Sequence, residues 1–311
     1  MRALFRVFTT KLTLLPKNRQ QLAGYIFIVP SITFIVVFVI FPVVSAFYYS
    51  LTSYDLMDAP KWAGLKNYRL LIQDERFSRS VFNTLYFAGV TVPAGVITSL
   101  LLATLINRHI RGIYFFRAMF YMPVVSSFVA VSLIWLWFYE PNFGLFNDTL
   151  ETIGLSRQKW LKSPDQAMLS IILLSIWKNM GLNMVIYLAG LQGIPPHLYE
   201  AAEIDGAGRI SIFSRITLPL LAPTTYFVVI VYFIGALQMF VQVFIMTQNS
   251  SNTSAWAGPL DSTLTVVVLV YQNAFEYLKM GYASAVSFAL FVIIAFVTVI
   301  NSKLLRYEIG Y

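Results

Sequence analysis

Six apolar runs, each near the length needed to cross a bilayer, constrain this chain more than any other feature. They cover residues 24–47, 85–106, 118–138, 168–189, 224–246 and 283–300. A helix crosses the hydrocarbon core with roughly 17–25 residues. Lipid offers the backbone no hydrogen bonds, so a run of this length has to pair its own peptide groups and fold as a helix. The fold class that follows is an all-α polytopic membrane protein with six transmembrane helices. Composition agrees: 58% of residues are hydrophobic and 12% charged, about half the charge of a soluble domain. The chain has no cysteine, which excludes a disulfide framework and a thiolate metal site. The first run follows a basic segment, and Val44-Ser45-Ala46 could pass for a cleavage site. It is nevertheless longer than the roughly 7–15 residues of a signal-peptide core, and an uncleaved first helix is expected.

Charge sets the orientation. Residues 1–23 carry Arg2, Arg6, Lys11, Lys17 and Arg19 with no acidic residue. Six crossings put both termini on one side. That side then holds twelve basic residues against four acidic ones, and the other nine against ten. Basic loops stay inside, so both termini are expected in the cytoplasm. The net charge of +8 lies in these short loops and sets orientation, so no nucleic acid is expected as a partner.

Between the fourth and fifth runs lies a polar island, residues 195–218. Pro195 and Pro196 suit a helix start. Residues 198–205 are tolerable helix formers, and Gly206 and Gly208 sit where a left-handed cap is wanted. A second short helix is expected over 210–215, ahead of Pro219. Two short helices on a membrane surface form a docking element. Glu200-Ala201-Ala202, then Gly206 after three residues, then Ile216, Leu218 and Pro219 after nine more, fill every position of the EAA loop. The chain therefore resembles the permease subunits of carbohydrate-type, maltose- and glycerol-phosphate-like ABC importers, the binding-protein-dependent inner-membrane transport components.

Other segments carry the same resemblance. Trp62-Ala63-Gly64-Leu65-Lys66-Asn67-Tyr68 is similar to a segment common in such permeases, as is Gly144-Leu145-Phe146-Asn147. Gly258-Pro259, Ser262-Thr263, Tyr271-Gln272 and the stretch from Gly281 to Ala285 resemble the family's approach to the last helix. Residues 248–257 depart from it, being longer and more polar than the tight turn usual there. The resemblance implies a type I importer permease fold in the inner membrane, with three parts. These are a cytoplasmic segment 1–23, a permease domain 24–306 containing the coupling loop 195–218, and a tail 307–311. It also implies a second homologous permease, a cytoplasmic ATPase dimer using ATP and magnesium, and an extracytoplasmic solute-binding protein. Glu200, Ala201, Ala202, Asp205, Gly206, Ile216, Leu218 and Pro219 are then the residues coupled to the ATPase. Membrane lipid and a sugar, oligosaccharide or polyol-type solute complete the expected partners, with glycerol phosphate or a phosphodiester as the alternative solute.

The chain lacks a phosphate-binding loop, a zinc motif and a nucleophile elbow, so no catalytic residue, metal or cofactor of its own is expected. His109 and His197 stand far apart; His197 reads as a surface residue of the docking helix. None of the six runs contains an acidic residue, which disfavours an ion-coupled secondary transporter. Lys178 is the one charge inside the runs, and an ionisable group at that depth costs at least about 2.5–3.5 kcal/mol. It should face a cavity or a partner. Ser175, Asn179 and Asn183 share a helical face near it, and Gln238 and Gln242 repeat the four-residue spacing on the fifth run. These six residues are candidates for a hydroxylated solute's path. Interhelical hydrogen bonding is the alternative use for such side chains. Trp135, Trp137 and Tyr139 read as an aromatic belt.

Overall fold

The computed structural model describes residues 17–107, 112–247 and 257–304. Arg2, Arg6, Lys11, Arg108, His109, Arg111, Arg306, most of the 248–257 stretch and the tail 307–311 lie outside the described residues. The described chain is almost wholly helical, with one two-stranded hairpin, β1 (Thr52–Ser53) and β2 (Lys61–Trp62). Helix α1 (17–50) runs through a π turn at Val36–Ile40. After the hairpin come α2 (Lys66–Gln73), α3 (Glu75–Ile106), α4 (Ile113–Val125) and α5 (Phe128–Phe138). Then follow α6 (Leu145–Thr152), α7 (Pro164–Gln192), α8 (Pro196–Ile204) and α9 (Arg209–Leu220). The last are α10 (Ala222–Leu237), α11 (Val241–Thr247), α12 (Val266–Glu276) and α13 (Met280–Leu304).

Four stretches, Gly24–Ser50, Glu75–Ile106, Pro164–Gln192 and Met280–Asn301, are uninterrupted and long enough to span a membrane. The other two expected spans are broken. The third bends by 98° between α4 and α5; α9 and α10 meet at 64° around Leu221, just ahead of the expected fifth run. At the first break Ser126 and Ser127 adopt extended backbone, three residues after Pro123. Hydropathy did not reveal this, because a break at two small residues leaves the run apolar on both sides. The fifth run itself breaks toward its far end: α10 stops at Leu237 and α11 resumes at Val241. Gln238 and Gln242 therefore do not share one continuous helix, contrary to the four-residue expectation.

Two helices extend beyond the hydropathy limits. Asp74 caps α3, its carboxylate accepting from the Arg76 amide at 2.8 Å, so Glu75, Arg76 and Arg79 are helical ten residues ahead of the apolar run. The expected third outer loop contains α12, whose Val266, Val268 and Leu269 are buried. That segment is too short to span and reads as loop for that reason.

The centre of the bundle is α3 packed along α7, with α4 against α7 and α10 against α3. Gly181 of α7 makes the α4 contact possible: a Cβ there would overlap the Phe120 carbonyl. One buried cluster includes Phe87, Ile171, Leu174, Leu237, Leu264 and Val286. A smaller one, with Ile106, Met184, Tyr187, Leu191 and Leu221, lies toward the 195–218 loop. α13 closes the bundle against the end of α1, where Phe47 meets Phe288 at 4.8 Å between ring centroids. The rest of α1 stands clear, exposed from Tyr25 to Val44.

At the end opposite the 195–218 loop, buried amides staple the connections. Asn67 donates to the Ser50 and Thr52 carbonyls at 2.9 and 2.8 Å, and the Tyr68 and Ser50 hydroxyls meet at 2.8 Å. Asn147 is fully buried; it donates to the Pro141 and Gln158 carbonyls and accepts from the Gln158 amide and the Trp160 indole. Arg76 holds Asp261 in two hydrogen bonds of 2.9 and 3.2 Å and also donates to Gln272. The two segments resembling permease motifs are thus structural clasps, with Asn67 and Asn147 as their buried members, while Trp62 is exposed.

Candidate functional site

Two places are candidates for function: an elbow at one end of the bundle and a cavity within it. The elbow is α8, a tight turn, and α9. Proline at the start of α8 costs no hydrogen bond, since the first helical turn leaves its amides free. The helix ends in a Schellman turn: Ala207 donates to the Ala202 carbonyl at 2.9 Å and Gly206 to Glu203 at 3.0 Å. That closure needs a left-handed residue, and Gly206 supplies it with φ of +74°. Gly208 does not; it is extended and precedes α9. α9 is longer than the 210–215 expectation, because a π turn at Phe213–Thr217 carries it through Pro219 to Leu220. Tyr199 and Thr217 hydroxyls lie 3.3 Å apart and tie the two arms.

Burial divides the expected coupling residues. Glu200, Ala201, Asp205, Gly206, Leu218 and Pro219 are exposed, Ala202 is buried and Ile216 is half-buried. Ala202 therefore serves the packing of α8 on the bundle. Two residues missed in the sequence point outward: Ile204 is 86% exposed and Ile210 85%. They stand among exposed Glu200, Glu203, Asp205 and Arg209. Bare isoleucines ringed by charge are the anchor-and-rim pattern of a protein contact. Their distance from the long apolar runs hid them in the sequence. His197 is exposed on α8 as expected.

The cavity has a volume of about 320 Å³ and lies between α3, α7 and the broken α10–α11 segment. Ser175, Asn179, Asn183, Gln238 and Gln242 all line it, with Phe128, Tyr232 and Phe240 among the aromatic members. The break after Leu237 turns Gln238 and Gln242 to the same space by another route than helical spacing. Gln238 is exposed at its rim and Gln242 is buried. The Asn179 amide is folded back onto the Ser175 carbonyl at 2.9 Å. Thr91 Oγ1, Ser175 Oγ and Asn183 Nδ2 are sealed from solvent without a protein hydrogen-bond partner. Buried polar atoms nearly always find one.

Lys178 does not join this lining. It is buried, and its Nζ donates to the carbonyls of Pro123, Val124 and Ser126, the last two at 3.0 and 2.9 Å. These belong to the end of α4 and the break that follows it. Three donated hydrogen bonds need three N–H groups, which only the ammonium form has. Trp135, Trp137 and Tyr139 also part company. Trp137 is exposed in the manner of a belt, whereas Trp135 packs on Tyr139, Phe146 and Trp177, and the buried Tyr139 hydroxyl donates to the Ser170 carbonyl at 2.8 Å. Among the described residues there is no cluster of three or more His, Asp or Glu able to hold a metal.

Residues 19–306 match the family described as "Binding-protein-dependent transport system inner membrane component". The chain is 36% identical over 297 residues to the probable ABC transporter permease protein YesP of Bacillus subtilis (strain 168), covering 94% of each. It is 33% identical to the arabinooligosaccharides transport system permease protein AraP of the same organism, covering 92% of this chain and 89% of that one. Its fold matches a chain of a bacterial ABC transporter involved in the import of the acidic polysaccharide alginate. The TM-score is 0.81 at 24% identity, with 94% of this chain and 98% of that one covered.

Proposed function

The chain belongs to the family of binding-protein-dependent transport system inner membrane components, and on that footing we propose that it passes a neutral saccharide or oligosaccharide through the cavity beside α7. As a permease subunit of an ABC importer it is a transport component and not an enzyme. The observation that carries the solute reading is the cavity's lining: amides, hydroxyls and aromatic rings, with no charged side chain among its described residues. Such groups exchange hydrogen bonds with hydroxyls and stack on sugar faces. An anionic solute such as a glycerol phosphate calls for a free cation, and Lys178 spends its donors on backbone carbonyls. The name of AraP, a transporter of arabinooligosaccharides, points the same way.

The orphan atoms of Thr91, Ser175 and Asn183 fit a path that is shut in this arrangement and gains partners, water or solute hydroxyls, when the helices part. The elbow is the part that drives the parting. With both termini and the 195–218 loop in the cytoplasm, α8 and α9 seat in a cleft of an ATPase dimer that binds ATP and magnesium, Ile204 and Ile210 entering it first. A second, homologous permease completes the path, and a solute-binding protein delivers the solute from outside. ATPase closure then favours one of two bundle arrangements by its different contacts with each.

The test is uptake by cells carrying the whole system. Gln242→Leu and Asn183→Leu should raise the KM for the transported saccharide by about tenfold, the effect of losing about 1.4 kcal/mol of contact, at unchanged membrane abundance. Preferential uptake of phosphorylated sugars, or KM values unmoved by both substitutions, would overturn the reading.

A further inference from the structure

Lys178 stands out once the cavity is assigned. It sits between Ser175 and Asn179 in sequence, both cavity residues, yet its own side chain turns to the other helix. The last carbonyls of any helix have no partner within it, and in hydrocarbon no water replaces one. At the end of α4 the ammonium takes the carbonyls of Pro123, Val124 and Ser126. A cation at a helix C-terminus is also favoured by the helix dipole. No ion pair of Lys178 is present among the described residues, so this peptide end is what solvates its charge. One turn further along α7, Gly181 lets α4 approach until its backbone touches. Immediately past the break, Phe128 lies with its ring centroid 5.4 Å from Nζ and also forms part of the cavity wall.

We propose that Lys178 is a positioning residue: its ammonium caps the broken end of α4, fixes the 98° bend, and so holds Phe128 in the wall of the solute cavity without touching the solute. The bend is two-sided in its support. Gly181 brings the helices together and Lys178 satisfies the peptide groups that the break exposes. Remove the cap, and the uncapped carbonyls regain partners by continuing the helix through Ser126 and Ser127, which opens the angle and withdraws Phe128.

The experiment reads the angle directly. The sequence has no cysteine, so spin labels attach only where cysteines are introduced. Met119→Cys on α4 and Ile134→Cys on α5 are well exposed positions on the two arms. The full chain is purified with its companion subunits in lipid nanodiscs, and the distance between labels is measured by pulsed electron resonance. With Lys178 present a single narrow distance is expected. Lys178→Met and Lys178→Gln should lengthen it by about 5 Å, one helical turn in scale, and Lys178→Arg should return it to the original value. If neither neutral variant assembles while Lys178→Arg does, with its distance unchanged, the pin stands. Distances unaltered in the neutral variants overturn it, as does an arginine variant that assembles yet keeps the long distance. The measurement uses no solute and does not depend on the saccharide reading, so either can fail without the other.

Discussion

At the residue scale, the strongest demands fall on side chains whose importance only packing reveals. Asn147 and Trp62 occupy segments that resemble permease motifs equally well, yet Asn147 makes four hydrogen bonds in a sealed site and Trp62 is 69% exposed. Each buried group left unpaired costs about 1–3 kcal/mol. Asn147→Leu should therefore lower stability by about 3 kcal/mol or more, while an exposed change such as Trp62→Ala stays within about 0.5 kcal/mol. Thermal unfolding of the purified protein separates the two; equal shifts would remove Asn147 from its role as clasp. The sequence named these segments but not their buried members, because a spacing pattern carries no depth. Lys178 shows the same limit. Its cost in lipid was legible, and so was the need to face a cavity or a partner. That the partner is a helix end, and not a solute or an acid, depends on where the third span breaks.

At the scale of elements, the apolar runs located the four uninterrupted spans, three of them within a few residues at each end and α3 starting ten residues early, since lipid leaves the backbone no other way to pair. What they missed are interruptions. A bend at Ser126 and Ser127 changes no hydropathy, and α12 is apolar but short. The elbow was the most legible element, because its glycine and prolines have positional meaning: Gly206 adopts the left-handed turn that its place after α8 requires. Its contact surface was less so, as Ala202 faces inward and the exposed Ile204 and Ile210 belong to no spaced pattern. Ile204→Asp with Ile210→Asp should cut co-purification of the ATPase at least tenfold, which corresponds to about 1.4 kcal/mol. Unfolding of the permease itself should stay in place, both side chains being bare. Retention of the ATPase at full yield would move the contact elsewhere on the loop.

At the scale of the whole molecule, one chain forms a bundle around α3 and α7 with a small polar space beside it, while most of α1 stands away. The arrangement is asymmetric in charge. Acidic residues lie toward the ends of the helices and in the connections, and the ammonium of Lys178 sits deep in the bundle with peptide carbonyls and the Phe128 ring to answer it. A helix end offsets roughly half an elementary charge, so a net positive field remains close to the cavity beside α7. Fixed cations of this kind exclude protons and metal ions from water-filled pores. On the saccharide reading proposed above, an opened bundle would meet the cell's proton-motive force with this positive charge beside its passage. Vesicles holding the complete assembly with Lys178→Met should dissipate an imposed pH gradient faster during turnover than the parent assembly, read with an entrapped pH-sensitive dye. An unchanged rate of dissipation would mean that the passage stays too dry for ions to feel the lysine at all.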